Sequence, residues 1–353
     1  MAALVAVLVA LPPLIGLLPA SDADVSAVDL RATALASDDL QFSGYAESAG
    51  GLVLPVGERA FSRVVDLFSD RTQMRVWWRG EAEHRVDVVS AGGETGYRRD
   101  GGGTWVWEYE DSRATRFGPD PLAVPRPPDL LPSSLGRRLL SEAADDELTR
   151  IGAERVAGRE VLGLRVTPSE EAASVDRVDI WIDAESGLPL QVRLFGAGSD
   201  LAALDTRFLD LDLTAPGAGV TRFVPPPGAR VSRDRDRDLL EEARRGLPRT
   251  PLPDELAGLP RRSLDGAPAA VGLYGRGVTL LAVAPVSGRV AFELIRGLRA
   301  DPEAVDDDLG LRISAGPLGI GVVPGPDGQA YVVTGTVTID ALADAAAALR
   351  QEA

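Results

Sequence analysis

The side chains best placed to do covalent chemistry in this sequence are carboxylates. Glu108 and Glu110 stand two apart in the segment TWVWEYE at 104–110, and a pair of acids flanking a sugar is the least that glycoside hydrolysis needs. The alternation of that segment puts both on one side of a strand and Trp105, Trp107 and Tyr109 on the other. That is also the pattern of plain solvent-facing residues on an amphipathic strand. His84 is the single histidine; a lone imidazole can sense pH, but with no Cys and no carboxylates at ligand spacing it forms no zinc set. Asp306-Asp307-Asp308 offers oxygen ligands without the alternating spacing of an EF-hand, and reads as a solvated loop. Gly101-Gly102-Gly103 precedes a strand, so it cannot present a helix N-terminus to phosphate. No G-x-S-x-G elbow, Walker A, H-E-x-x-H or dinucleotide fingerprint is present. The expectation is a chain with no catalytic residue, no metal and no cofactor.

Composition narrows the partners. The chain has 353 residues, 45% of them hydrophobic, enough for a substantial core and two domains. Its 37 basic residues, all arginine, face 53 acidic ones for a net charge of −16, which repels phosphate backbones and argues against nucleic acid. The absence of lysine removes Schiff-base chemistry, and the absence of cysteine removes disulfides, thiolate sites and a lipidated N-terminal cysteine. Residues 2–20 carry no charge and are followed by small-x-small sequences at Ser21-Asp22-Ala23 and Val25-Ser26-Ala27. Region 1–27 therefore reads as a signal peptide or a membrane anchor, with a buried helix as the remaining reading; Pro12-Pro13 weakens the anchor. Either of the first two places the working part outside the cytoplasm, periplasmic or in the cell envelope.

The elements that must position any site are mostly strands. Short alternating runs at Phe61–Phe68, Thr72–Arg79, Glu83–Val89, Glu94–Arg99, Thr104–Glu110 and Ala114–Phe117 are separated by turn residues and predict an antiparallel meander. A proline-rich loop and a helix capped by Ser133-Ser134 and running to about Glu142 interrupt it. Strands resume at about 147–156, 159–167, 175–183, 188–195 and 204–213, with a hairpin turn at Ala184–Gly187. Parity there groups Val178, Ile180 and Ile182, and groups Leu188, Leu190, Val192 and Leu194. Domain 28–231 is thus mainly β. Residues 232–265 read as a sign-alternating helix from Arg233 to Arg245 and a Pro-rich linker. A smaller α+β domain at 266–353 ends in a helix with Asp340 as its N-cap.

Several segments resemble a known family. SGYAES, QMRVWWRGEAEHRVDVV, the W-V-W-E-Y run, DLLPSSLGRRLL, VAGREVLGLRVTP and VDIWIDAESGLPLQVRLF are similar to the N-terminal domain of RseB/MucB-type sigma-factor regulators. The most specific phrase is Asp183, Ser186, Gly187, Leu188, Pro189 and Leu190. The resemblance covers about 40–230, and AAVGLYGRGVTLLAVAP with YVVTGTVTIDALADAAAAL resembles the small second domain more loosely. It implies the unclosed antiparallel β-barrel of the LolA/LolB lipoprotein carriers with covering helices. It also implies a non-enzymatic role: sensing lipid or envelope polypeptide, and restraining a sigma factor through a membrane anti-sigma partner.

An unclosed barrel keeps an apolar face on which acyl chains replace water, at about 0.8 kcal/mol per buried CH₂. Candidates for its lining by parity are Val76, Trp78, Val86, Val88, Trp105, Trp107, Tyr109, Val178, Ile180, Leu190 and Val192, with ordinary core packing as the plain alternative. Trp77, opposite Trp78 in parity, and Trp181, between Asp179 and Asp183, are candidates for a partner surface; Trp77 could instead stack under Arg75 or Arg79, and Trp181 could instead be covered by the N-terminal helix. Three functions stay open: a regulator of RseB type, a LolA-like lipid or lipoprotein carrier with no signalling role, and a carbohydrate hydrolase using Glu108. Residues 269–350 favour the regulator, because a carrier does not need a second surface.

Overall fold

The computed structural model describes residues 20–50, 71–118, 126–233, 252–263, 270–325 and 329–351. The predicted strand at 61–68, the export segment at 2–20 apart from Ala20 and, apart from Arg233, the charged helix at 233–245 lie outside them. The first sheet has twelve strands: β1 (Phe42–Gly50), β2 (Arg71–Trp78), β3 (His84–Ser90), β4 (Gly93–Asp100), β5 (Gly103–Glu108), β6 (Arg113–Phe117), β7 (Leu148–Val156), β8 (Arg159–Val166), β9 (Val175–Asp183), β10 (Pro189–Gly196), β11 (Ala202–Asp212) and β12 (Arg230–Arg233). Their order is β12-β6-β5-β4-β3-β2-β1-β11-β10-β9-β8-β7. Two meanders are therefore sewn together where β1 pairs with β11. The outermost strands, β12 and β7, do not pair with each other, so the sheet stays unclosed. One pair departs from the antiparallel expectation: β12 returns parallel to β6.

Two helices cover one face of this sheet, α1 (Ala27–Leu35) and α2 (Pro132–Glu142). Ser26 caps α1 by accepting from the Asp29 amide at 3.1 Å. The expected cap of α2 is corrected. The helix starts at Pro132 with Leu131 as an N-cap that makes no side-chain bond, so Ser133 and Ser134 lie inside its first turn. Pro132 wins that position because its fixed φ suits a first helical residue and it has no N–H to leave unsatisfied. Gly136 then lets α2 close on the sheet, since a Cβ there would meet Pro189 Cβ at 2.8 Å.

The phrase that carried the resemblance is a turn locked beneath α1. The Asp183 carboxylate takes two bonds from Arg159, at 2.8 and 3.0 Å, and two from Ser186, from its amide at 2.8 Å and its hydroxyl at 2.5 Å. Burial alone would raise the Asp183 pKa, but these donors hold it below the usual carboxylate range. Gly187 takes φ +76, and a Cβ there would lie 2.7 Å from Thr33 O of α1; both facts demand glycine.

The second sheet has six strands in the order β15-β16-β20-β19-β18-β17, preceded by the hairpin β13 (Glu255–Leu256) and β14 (Leu259–Pro260). Its strands are β15 (Gly272–Arg276), β16 (Thr279–Val286), β17 (Val305–Asp307), β18 (Gly310–Ala315), β19 (Leu318–Pro324) and β20 (Ala330–Gly335). Helix α3 (Gly288–Leu298) packs Leu294 and Leu298 against Ile313, Val322 and Val332, while α4 (Ile339–Gln351) packs against Leu281, Val283 and Val333 on the other face. Alternation along β20 sends Val332 to one helix and Val333 to the other. Two expectations are corrected here. Thr338 rather than Asp340 caps α4, its hydroxyl accepting from the Ala341 amide at 3.2 Å. Asp306 and Asp307 are not a loop but strand residues paired with Arg299 and Arg312.

Candidate functional site

The helix-covered face holds most of the predicted lining. Val178, Ile180 and Val192 are buried with Leu30 and Ala34 of α1 and Leu139 and Leu140 of α2. Val76, Trp78, Val86 and Leu190 are buried with Phe42, Met74, Leu131 and Phe208, and Val88 is partly buried against the same cluster. Pairing confirms the shared face, with Val76 opposite Val86 and Ile180 opposite Val192. Leu190 enters through a register shift between Pro189 and Gln191. Among the described residues these side chains are buried against one another and against the two helices, so this face is packed rather than open.

Trp78 is sandwiched by Phe42 and His84, with centroids 6.1 and 4.5 Å away. Burial drives the His84 pKa down, the Gly80 carbonyl opposes this and Arg99 adds to it. A group that prefers to be neutral when folded binds its proton more readily when unfolded. The His84 contribution is thus present above the ordinary histidine pKa of about 6.5 and lost as pH falls through the folded value. We expect stability to decline in that window in the wild type, and His84→Phe, which keeps the stack, to remove that part of the pH dependence in urea titrations.

Trp105, Trp107 and Tyr109 are on the opposite face, against expectation. Val86 pairs with Tyr97 and Tyr97 with Val106, so Val106 is the β5 residue on the helix-covered side, whereas Trp105 and Trp107 sit opposite Arg98 and Gly96. Within each strand the period of two held, but the phase between strands depends on where each turn starts, and one residue inverts it. Phe223, from the segment after β11, covers these tryptophans at 5.5 and 6.0 Å. The segment is held by Arg79 donating to Pro216 O at 2.6 Å and by the Phe223 amide donating to Asp100 at 2.9 Å. Tyr109 is exposed and its hydroxyl accepts from Arg98 at 2.9 Å. Glu108 pairs with Arg113 at 3.0 Å, while Glu110 accepts from the Glu94 amide at 3.0 Å, so the two acids are engaged separately and face no common gap.

The rest of that outer face is an arginine–carboxylate lattice. Arg85 grips the fully buried Asp87 at 2.8 and 3.0 Å and lies 4.6 Å over the Trp77 ring. Trp77 is thus a half-buried cation–π partner, under its cross-strand neighbour Arg85 rather than Arg75 or Arg79. Trp181 is not a surface anchor: it is 4% exposed and lies on Gly163, with Arg193 5.9 Å above its ring. Among the described residues no group of three His, Cys, Asp or Glu could hold a metal ion.

Side chains with no sequence signal join the two sheets. Arg262 makes a two-pronged pair with Glu142 at the end of α2, at 2.8 and 2.9 Å. Arg276 does the same with Glu147, at 2.8 and 2.7 Å, and reaches Glu170 at 2.9 Å. The Gly277 amide donates to Glu142 at 2.7 Å, and Val278 packs into the core beside Leu139 and Ala143. On the other flank the Ser174 hydroxyl donates to Pro317 O at 2.5 Å and the Thr338 amide to Ala172 O at 2.9 Å. A crevice of about 10 Å³, lined by Leu139, Val166, Val178 and Val278 with Glu147 and Arg276 at its polar side, marks this seam; it has room for about one water. Burial would raise the Glu147 pKa, yet Arg276 and the donors from Ala144 and Ser169 lower it to about 2.

This two-sheet arrangement can be compared with solved structures. A crystal structure of MucB in complex with MucA(peri) matches with a TM-score of 0.50 at 18% identity, covering 91% of this chain and 97% of that one. The chain has the fold of MucB. The complex of Pseudomonas aeruginosa MucA/MucB gives the same figures, TM-score 0.50, 18% identity, 91% and 97%. A LolA superfamily protein from Nitrosomonas europaea aligns with 56% of this chain and 98% of its own, at 12% identity and a TM-score of 0.24. No family model matches the sequence, and no curated protein does. In the MucB-like fold seen here, no helix of the described residues is long and apolar enough to cross a membrane.

Proposed function

We propose that this chain is a non-enzymatic, extracytoplasmic binding protein of RseB/MucB type that restrains an extracytoplasmic sigma factor through a membrane anti-sigma partner. The observation that carries the reading is the match to MucB across both sheets, 91% of this chain, rather than across the first alone. The seam supports it physically. A carrier needs only the first sheet and its helices, whereas here the second sheet is clamped to the end of α2 by Glu142 and Glu147, and Val278 is part of the first core. A guest that pushes α2 off the sheet strains those contacts, which couples occupancy to the placement of the second domain. Because the apolar face is packed, the guest is an acyl chain or apolar peptide that enters by displacing α1 and α2.

The test is binding of the purified full chain to the periplasmic domain of the anti-sigma factor of the same organism, measured by interferometry with and without a lysolipid. We expect binding that the lysolipid weakens. Absence of binding, together with acyl species retained in native mass spectrometry, would identify a carrier instead.

A further inference from the structure

The twelve-strand sheet ends on a strand that fits its neighbour poorly. β12 is four residues long and runs parallel to β6, an arrangement that gives few and slanted bonds. The pairing sets Arg230 beside Arg113 and Arg233 beside Arg116, and like charges across a ladder repel. One carboxylate, Asp111, serves both Arg113 and Arg230, the latter only at 3.9 Å. Arg116 meets no carboxylate among the described residues: its guanidinium donates to Gly102 O at 2.6 Å and lies 5.7 Å from the centre of the Trp105 ring.

Apolar packing adds little. All four β12 residues are exposed, and Val231 keeps 59% of its surface in water although its cross-strand partner Ala114 is buried with Trp107 and Phe223. What holds β12 is polar: the Arg230 amide donates to Ser112 O at 2.8 Å, the Arg230 guanidinium to Asp111 O at 2.6 Å, and the Ser232 and Thr115 hydroxyls lie 3.1 Å apart. A sheet edge is a row of N–H and C=O groups on which another chain can add. Here the β6 edge is covered by bonds that any extended backbone makes, while the side chains of the cover oppose it. A segment with carboxylates where β12 has Arg230 and Arg233 would keep the backbone bonds and turn both repulsions into ion pairs. Arg113 and Arg116, three apart in a strand, point to opposite faces, so the fitting segment carries an acidic side chain on each face.

We propose that the β6 edge is a docking site for an extended acidic polypeptide, which adds to the sheet as a strand in the place of β12. The site lies at the other end of the sheet from β7 and β8, on which α1 rests, and does not depend on any guest of the helix-covered face. In the sequence β12 leads directly into the linker to the second sheet, so an occupied edge hands its four residues to that connection.

Fluorescence anisotropy of the full chain with a labelled peptide repeating glutamate-valine-threonine, and with its lysine-valine-threonine counterpart, tests it. The glutamate peptide is expected to bind and the lysine peptide not. Ser232→Pro removes the next inward-facing amide after that of Arg230 and loosens β12. It should tighten the glutamate peptide by on the order of tenfold, because displacement no longer opposes binding. Arg116→Glu, which gives Arg233 a partner and takes one from the peptide, should weaken it by on the order of tenfold. Saturating peptide should also speed tryptic cleavage after Arg230, read by mass spectrometry, because β12 has then left the sheet. Equal binding of the two peptides, binding without faster cleavage after Arg230, or no binding to either the wild type or Ser232→Pro overturns the site. Binding by Ser232→Pro alone would make β12 a permanent cover and overturns it too. Concentration-dependent association of Ser232→Pro in sedimentation, without peptide binding, would assign the edge to a second copy of the chain and so reject the polypeptide partner.

Discussion

Glu147→Gln is expected to lower the unfolding free energy by about 3 kcal/mol near neutral pH, more than any surface charge in this chain. The Glu147 carboxylate is 5% exposed and accepts from Arg276, Ala144 and Ser169. Its pKa falls from 4.5 to about 2 on folding. A depressed carboxylate binds fewer protons folded than unfolded, so its stabilisation is fully present above the unfolded value of 4.5 and disappears as pH drops through about 2. The shift corresponds to roughly 3 kcal/mol, at about 1.36 kcal/mol per unit. Urea titrations of wild type and variant should therefore run parallel above about pH 5 and converge toward about pH 2. A gap that persists unchanged at the acid end would show that Glu147 acts by shape rather than by charge. Because Arg276 lies on the second sheet, the same variant should weaken the grip between the two sheets, and limited proteolysis in the linker should accelerate.

The second large effect concerns Trp181, which the sequence leaves as either a docking surface or a covered residue and which the structure buries. Trp181→Ala is expected to destabilise by about 3–5 kcal/mol; a surface anchor would lose partner affinity with stability unchanged. Gly163→Ala should destabilise by about 1–3 kcal/mol, because the added Cβ would lie 2.5 Å from the indole and 2.6 Å from Ile151. The two are coupled. In the Trp181→Ala background the added methyl meets fewer atoms, so the double variant should be more stable than the sum of the singles predicts. Additivity in thermal or chemical unfolding would mean that the ring does not rest on Gly163.

Much of the first sheet was legible in residues alone, and the reason is local. Trp77 and Trp78 had to face opposite ways, and they do: one lies under Arg85, the other between Phe42 and His84. The turn from Asp183 to Leu188 could be recognised because its geometry is built from its own side chains and a glycine at positive φ. Helix α3 escaped notice, and its boundaries emerge only where Leu294 and Leu298 find the second sheet. The cap of α2 was misplaced because Ser133 and Ser134 have the right side chains, while Pro132 before them decides where the helix starts.

What the sequence by itself determined is therefore the short-range part: strands with one apolar side, the locked turn, a chain with neither thiol nor amine chemistry, and the outline of a two-part fold. The tertiary structure alone decided which strand faces agree, placing Trp105 and Trp107 across the sheet from Val86. It also decided that β1 closes onto β11, that the apolar face is filled, and that Glu142 and Glu147 meet arginines 120 and 129 residues away. The physical reason is the same in each case. A period of two specifies a face within one strand, but the phase between strands and the partner of a distant charge are set only when the turns and the packed helices bring those residues together.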